Sequence, residues 1–289
     1  MADTSGMQDI RGINIDKIAK GFANEATIFK KLLVDSKTSA RQITYWQKTS
    51  GFLTATSPAV IANAAEGALP FVKEQSWTKS NAYVRKYFVQ SPTISEEDIR
   101  DSDVDILVTN VGDLTRAVEY AVDGRCWDVI TESRVPVNIN LVTCSGQWNT
   151  DANAYIIHDL MNAKQKIRAA GYNPEGAALV INGSGAKNLL TWLISTKGSS
   201  IPSFASQKVE SGVVMELLGL GVRVSENVTN NYGVVMVPQE AGTWKSFTEL
   251  TAAKVEEVGI GTVIRVWEEG EAILRNPKAV TLLSGNGTT

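Results

Sequence analysis

The sequence predicts an α+β protein on three observations: a long one-faced apolar stripe in the first half, a helix, strand, helix succession in the middle, and alternating strands that close the chain. The stripe opens after ISEED, where Ser95 is placed to cap a helix and Asp98 stands three residues on, a capping-box arrangement with an acid as the answering group. Val104, Leu107, Val111, Leu114, Val118 and Ala121 follow at alternating steps of three and four, which is one helix face. Asp105, Asp113, Arg116, Glu119 and Asp123 fall largely elsewhere, so one side is expected dry and the rest wet. The burial that this face offers does not offset the ordering of so long a segment, and Gly112 in its interior weakens it further. The helix therefore needs a sheet, a second domain or a neighbouring subunit against it.

The other elements follow in chain order. Ile15, Ile18, Ala19, Phe22, Ala26, Phe29 and Leu33 have near-helical spacing and predict an amphipathic N-terminal helix or arm. Its lysines are diluted by Asp16, Glu25 and Asp35, which favours docking on protein over a membrane surface. ITYWQKTSGFL and NAYVRKYFV are rich in aromatic and β-branched residues and read as two strands. Between them lies an excursion of small and polar residues interrupted by Pro58, Gly67 and Pro70, a length that usually signals a functional loop. Phe71 and Trp77 sit in it, and an exposed aromatic on a long ribbon calls for a partner surface.

After the long helix, Asp151 is placed to cap a stripe of Ile156, Leu160, Ala163, Ile167 and Ala170, with Gly171 as its C-terminal stop. AALVING reads as a buried strand, Ser184 as the start of a second helix, and TKGSSIPSFASQK as a surface loop. GVRVSENV and YGVVMVPQ form a further strand pair. LTAAKVEEV, TVIRVWEEGEAILRN and KAVTLLSG alternate like antiparallel strands expected to return and pair with the ribbon region.

Composition narrows the function classes. With 289 residues the chain suffices for one large or two medium domains. Its 28 basic and 31 acidic residues leave a net charge of -3, which argues against a protein built to grip nucleic-acid phosphates but not against a container for them. No apolar run approaches the roughly 18 residues of a membrane span, and MADTSGMQDIRG has no apolar signal core, so a soluble product made in the cytoplasm is expected. Cys126 and Cys144 have no metal or redox spacing and read as buried free thiols.

Catalytic constellations are sparse. The one histidine, His158, lies in an amphipathic helix without a second His or a Cys beside it. Gly183 to Gly185 follow a strand and open a helix, the geometry that cradles phosphate, but lack both the third glycine of a dinucleotide fingerprint and the lysine of a Walker loop. Glu268, Glu269 and Glu271 cluster near the end; strand alternation puts Glu269 and Glu271 on one face, with Arg265 and Arg275 near enough to pair in an ion network. No enzyme activity is expected, and no catalytic, cofactor or metal residue is assigned.

Three passages carry a family likeness: AEGALPFVKEQSWTKSNAYVRKYFVQSPTISEEDIRDSDVDI, INGSGAKNLLTWL after RAAGYNPEG, and RVWEEGEAILRNPKAVTLLSG. In order and spacing they resemble the major capsid protein of tailed phages and related archaeal viruses, the Hong Kong 97 type, over most of residues 41 to 285. The resemblance implies an N-terminal arm at 1–40 and a peripheral domain at 41–135, with an extended loop at about 48–78 and a spine helix at about 95–129. It further implies an axial domain at 136–255, and closing strands at 256–289 that rejoin the peripheral domain.

The implied function is a self-assembling shell of hexamers and pentamers, icosahedral or prolate, that encloses double-stranded DNA in a virion assembled in the host cytoplasm. The extended loop would lie across a neighbouring subunit, with Phe71, Lys73, Glu74, Trp77 and Lys79 as candidate contacts. Partners implied are other copies of the chain, separate scaffold and portal proteins, and optionally a decoration protein; neither a membrane nor sequence-specific DNA binding is implied. A chain of 289 residues that starts at Met1 leaves little room for the scaffolding region found in some members. Some members cross-link a loop lysine to a distant asparagine, and Lys73, Lys79 and Asn276 match those types, but residue type alone does not predict the bond. The rival readings are an encapsulin, a nanocompartment shell of the same fold, and more remotely an α/β nucleotide-binding enzyme using Gly183 to Gly185.

Overall fold

Two large sheets and a two-stranded ribbon organise the described residues, and the closing strands link the two large sheets. The computed structural model describes residues 19–20, 27–50, 65–69, 76–95, 97, 106–150, 154–193, 216–257 and 260–287. A short helix α1 (Phe29–Leu32) runs into strand β1 (Val34–Lys37), and a ribbon of β2 (Gln42–Lys48) and β3 (Trp77–Tyr83) follows. Then come β4 (Arg85–Gln90), β5 (Ile94–Ser95), the long helix α2 (Ile106–Ile130) and β6 (Asn140–Thr143). Helix α3 (Ile156–Ala169), β7 (Ala178–Ile181) and helix α4 (Gly183–Trp192) form the middle layer. The remainder is strand: β8 (Glu216–Leu217), β9 (Leu220–Val224), β10 (Tyr232–Met236), β11 (Gly242–Glu257), β12 (Gly261–Leu274) and β13 (Val280–Ser284).

The first sheet has the order β1, β11, β12, β4, with β5 also on β12. Its centre is the long antiparallel hairpin of β11 and β12, in which Trp244 lies opposite Ala272 and a register shift separates the Ser246–Gly270 and Thr248–Glu269 pairs. Gly270 is required at that bulge, because a Cβ there would collide with the Trp244 indole. Helix α2 packs over β12 and β4.

The second sheet has the order β6, β13, β10, β7, β9, β8. All four residues of β7 are buried, and α3 covers β6, β13 and β10. Between the sheets, Glu132, Ser133 and Arg134 turn the chain through left-handed backbone (φ 49, 54 and 70°). The Glu132 carboxylate accepts the N–H groups of Val137 and Asn138 at 2.7 and 2.9 Å, which holds that turn.

Several sequence expectations change on contact with the fold. Leu107, Val111 and Val118 are buried and Leu114 is half-buried, but Ala121 faces solvent and Val122, Cys126 and Trp127 continue the dry face. The reason is the drift of a 3.6-residue turn against a 3.5-residue stride. Ser95 ends β5 opposite Gly261, and Asp98 and Val104 lie outside the described residues. NAYVRKYFV is not one strand: it divides at Val84 between the ribbon and the first sheet. Helix α4 starts at Gly183 rather than Ser184, capped by Asn182, whose side chain accepts the Gly185 N–H at 2.7 Å. For α3, Asp151 lies outside the described residues, while Gly171 closes the helix with φ 85° as expected of its type.

Strand pairing also divides the chain differently from the expected segmentation. β11 opens at Gly242, inside the stretch expected to be axial, yet belongs to the first sheet. β12 does return to pair with β4. β13 does not: it joins the second sheet between β6 and β10, where its side chains are almost wholly buried. A run such as VTLLS, apolar on both faces, suits the middle of a covered sheet and not a half-wet edge.

Candidate inter-subunit surface

Among the described residues, the ribbon of β2 and β3 keeps most of one face open to solvent. β2 and β3 pair antiparallel from Gln42 opposite Tyr83 to Lys48 opposite Trp77, which puts Trp46 and Lys79 directly across from each other. Side chains opposite in such a pair share a face, and so do residues two apart along either strand. One face therefore carries Gln42, Thr44, Trp46 and Lys48 with Trp77, Lys79, Asn81 and Tyr83. All but Lys48, buried at the root, are exposed, with Trp46 at 54%, Trp77 at 51% and Tyr83 at 64%. Thr44 donates to Asn81 Oδ1 at 2.8 Å across the strands. The opposite face, with Ile43 buried and Tyr45 and Ala82 half-buried, turns toward the body.

A cavity of about 800 Å³ lies at the ribbon root, lined by Ile43, Trp46, Trp77, Lys245, Ile273 and Arg275 among others. Two backbone bonds fix that root: Lys48 N–H to Arg275 O at 2.9 Å, and Val84 N–H to Arg41 O at 2.9 Å. Of the residues expected at an inter-subunit contact, Trp77 and Lys79 stand on the exposed face. Phe71, Lys73 and Glu74 lie outside the described residues. Sequence reasoning missed Trp46 and Tyr83. Period-two alternation in ITYWQK, with Trp46 and Thr44 on one side, was the signal available for the first.

The acidic row on β12 fastens both ends of the ribbon. Glu269 pairs with Arg41 at 3.4 Å, just before β2, and with Lys86 at 3.6 Å, just after β3. Glu271 pairs with Arg85 at 3.0 Å and with Arg125 of α2 at 2.8 Å. These carboxylates are buried, and their cations are not the expected Arg265 and Arg275. Arg265 turns along the strand to donate to Gln90 Oε1 at 2.9 Å. The difference arises from packing of α2 and the ribbon root over β12, which brings distant cations closer than the neighbours in sequence.

Glu268 belongs to a second cluster. The Lys30 ammonium lies 2.7 Å from Glu268 Oε1 and 3.4 Å from Glu119 Oε1, over the Trp244 ring at 5.6 Å. Four residues along α2, Asp123 accepts the backbone N–H groups of Phe29 at 2.8 Å, Lys30 at 3.1 Å and Ile28 at 3.2 Å. Phe29 packs on Trp127 with ring centroids 5.6 Å apart. Glu119 and Asp123, expected on the wet side of the helix, are thus almost wholly buried by the N-terminal segment. Burial, with Glu268 adding to it and Lys30 opposing, pushes the Glu119 carboxyl up to about 7. For Lys30, burial works to lower the pKa, but Glu268 and Glu119 together hold it above its ordinary value.

The glycine turn before α4 is already filled. Glu226 Oε1 accepts the Gly183 N–H at 3.2 Å and Asn182 Oδ1 takes that of Gly185, so the chain's own oxygens occupy the place a phosphate would need. His158 is largely exposed, its Nδ1 lying 3.3 Å from Ser145 Oγ and 3.2 Å from Asn162 Nδ2. Cys126 is buried and Cys144 half-buried; both are free, and burial pushes their thiols up. Among the described residues no three of His, Cys, Asp and Glu are placed to hold a metal ion, and no helix is long and apolar enough to cross a membrane.

No protein-family model and no curated protein matches the sequence. Solved structures match the fold over nearly its whole length. The virus-like particle from Pyrococcus furiosus is 14% identical with a TM-score of 0.62, covering 94% of this chain and 98% of that one. The capsid of cyanophage P-SCSP1u is also 14% identical, with a TM-score of 0.65 and coverage of 98% and 92%. The capsid of a native GTA particle is 13% identical, with a TM-score of 0.61 and coverage of 98% and 95%. The chain has the α+β capsid fold.

Proposed function

We propose that this chain is a structural shell protein that assembles with copies of itself into the hexamers and pentamers of a closed capsid around double-stranded DNA. The observation that carries the reading is the ribbon. Its aromatic face stands bare on a chain that matches capsid structures from end to end, and two half-exposed tryptophans and a tyrosine on one ribbon face are an unusual cost for a free monomer. A neighbouring copy laid on Trp46, Trp77 and Lys79 covers that face. Phe71, Lys73 and Glu74, close to Trp77 in sequence and outside the described residues, are proposed as contacts of the same interface. We assign the first sheet with α2 to the peripheral domain, and the second sheet with α3 and α4 to the axial domain. Near-neutral charge suits a wall that confines DNA without holding it tightly.

Portal and scaffold proteins are the expected partners, with the virion as destination after assembly in the host cytoplasm. The likeness to a virus-like particle favours one second reading, a nanocompartment of the encapsulin kind. Light scattering on the full chain after size exclusion tests both. Closed megadalton particles are expected, and a discrete small oligomer overturns the shell reading. Nuclease-treated particles that retain DNA support the capsid; protein-filled ones establish the nanocompartment.

A further inference from the structure

The N-terminal segment is clipped onto α2 and the first sheet by a cluster whose charges do not balance. Lys30 supplies one positive charge between two buried carboxylates, each of which accepts from it through Oε1. The remaining oxygens, Glu119 Oε2 and Glu268 Oε2, are both buried without a hydrogen-bond partner. Two buried acceptors facing one ammonium are satisfied together when one of them carries a proton and donates to the other. We infer that residues 27–33 form a proton-controlled latch, closed while Glu119 carries a proton that it donates to Glu268 beside Lys30 and loosened when that proton leaves.

The surrounding groups set the direction. Lys30 stays charged throughout, because its carboxylate partners hold it above its ordinary value. Asp123, on the same helix, is raised by burial against the N–H groups that it accepts, and so shifts in the same sense as Glu119. From the N-terminal side Lys20, Lys31 and Asp35 line the adjoining cavity, and Glu249 of β11 closes it. On the far side, Glu271 is taken up by Arg85 and Arg125.

Glu119 binds its proton more tightly in the closed state than in the released one. The latch is therefore fully stabilised below the ordinary glutamate value of 4.5, loses stability as pH rises, and reaches its weakest level once pH has passed about 7. The inference is independent of the shell reading, since every group in it belongs to one copy of the chain.

Hydrogen exchange of the full-length protein, corrected for the intrinsic pH dependence of exchange, reads the latch directly through the amides of Ile28, Phe29 and Lys30. The opening constant of this segment is expected to rise on the order of ten- to a hundredfold between about pH 4.5 and about pH 7 and then level off, while α3 shows no such step. Glu119→Gln, which keeps the shape and removes the charge, is expected to hold the segment closed across the range. An equal step in that variant, or none in the unaltered protein, overturns the latch. Infrared spectroscopy of the unaltered protein tests it without any substitution. A carboxylic C=O band is expected to vanish on passing about pH 7, and its absence at about pH 6 overturns the buried proton on Glu119.

Discussion

Trp46, Trp77 and Tyr83 on the ribbon, and Glu119, Asp123 and Glu268 beneath the N-terminal segment with Glu271 beside Arg85 and Arg125, are placed the wrong way round for their chemistry. The aromatics are more than half exposed, while the acids are nearly inaccessible. Burial ordinarily sorts such residues in the opposite sense. The two exceptions differ in completeness. Glu271 meets two arginines, Asp123 accepts three backbone N–H groups and Glu119 and Glu268 converge on Lys30, so the acids belong to the folded subunit; the aromatics keep about half of their surface open among the described residues, which is why a neighbouring copy is proposed there. A violated burial rule with its partners present marks internal assembly, and one without them marks an interface.

Substitutions ranked by their effect on the stability of the subunit probe that distinction. Glu271→Ala removes the buried acceptor of charge-assisted hydrogen bonds from Arg85 and Arg125, both of which water can still reach, and is expected to cost about 2 to 3 kcal/mol, read from the denaturant midpoint. A shift under about 1 kcal/mol would reduce the acidic row to ornament. Asp123→Ala withdraws the acceptor of three backbone N–H groups and is expected to cost about 2 to 3 kcal/mol. Its exchange signature should be confined to residues 27–33. Gly270→Ala drives a methyl into Trp244 at the β-bulge, at an expected cost of about 1 to 3 kcal/mol.

Replacing Trp46 and Trp77 together by Ser is expected to leave the subunit midpoint within about 0.5 kcal/mol and yet abolish large particles in light scattering. Full assembly by that variant would break the comparison, because the bare face would then have no task. Last, Lys37→Ala removes only a solvent-exposed pair with Glu249 and should leave both the midpoint and the particle size unchanged.

Much of the fold was legible residue by residue. Ile156, Leu160, Ala163 and Ile167 announce α3 because helical burial repeats within a few residues, and the core position of Leu179 and Val180 follows from an apolar run between turn signals. The candidate surface was legible in part: of the residues on its exposed face, Trp77 was picked from texture and Lys79 through the family resemblance, while Trp46 and Tyr83 were not picked. Facing across the ribbon is decided by a register that joins residues some thirty-five apart. The alignment of Glu269 with Arg41 and Lys86 was not legible, because three strands distant in sequence meet there.

By itself, then, the sequence determined the period and length of each element and the α+β class, since both arise from side chains a few residues apart along one backbone. Only the tertiary structure decided which face of α2 is dry beyond Val118, that β13 crosses to the second sheet, and that Lys30 meets Glu268 across 238 residues of chain. Those outcomes depend on the summed burial and charge of elements that meet only after folding. No local window contains both partners.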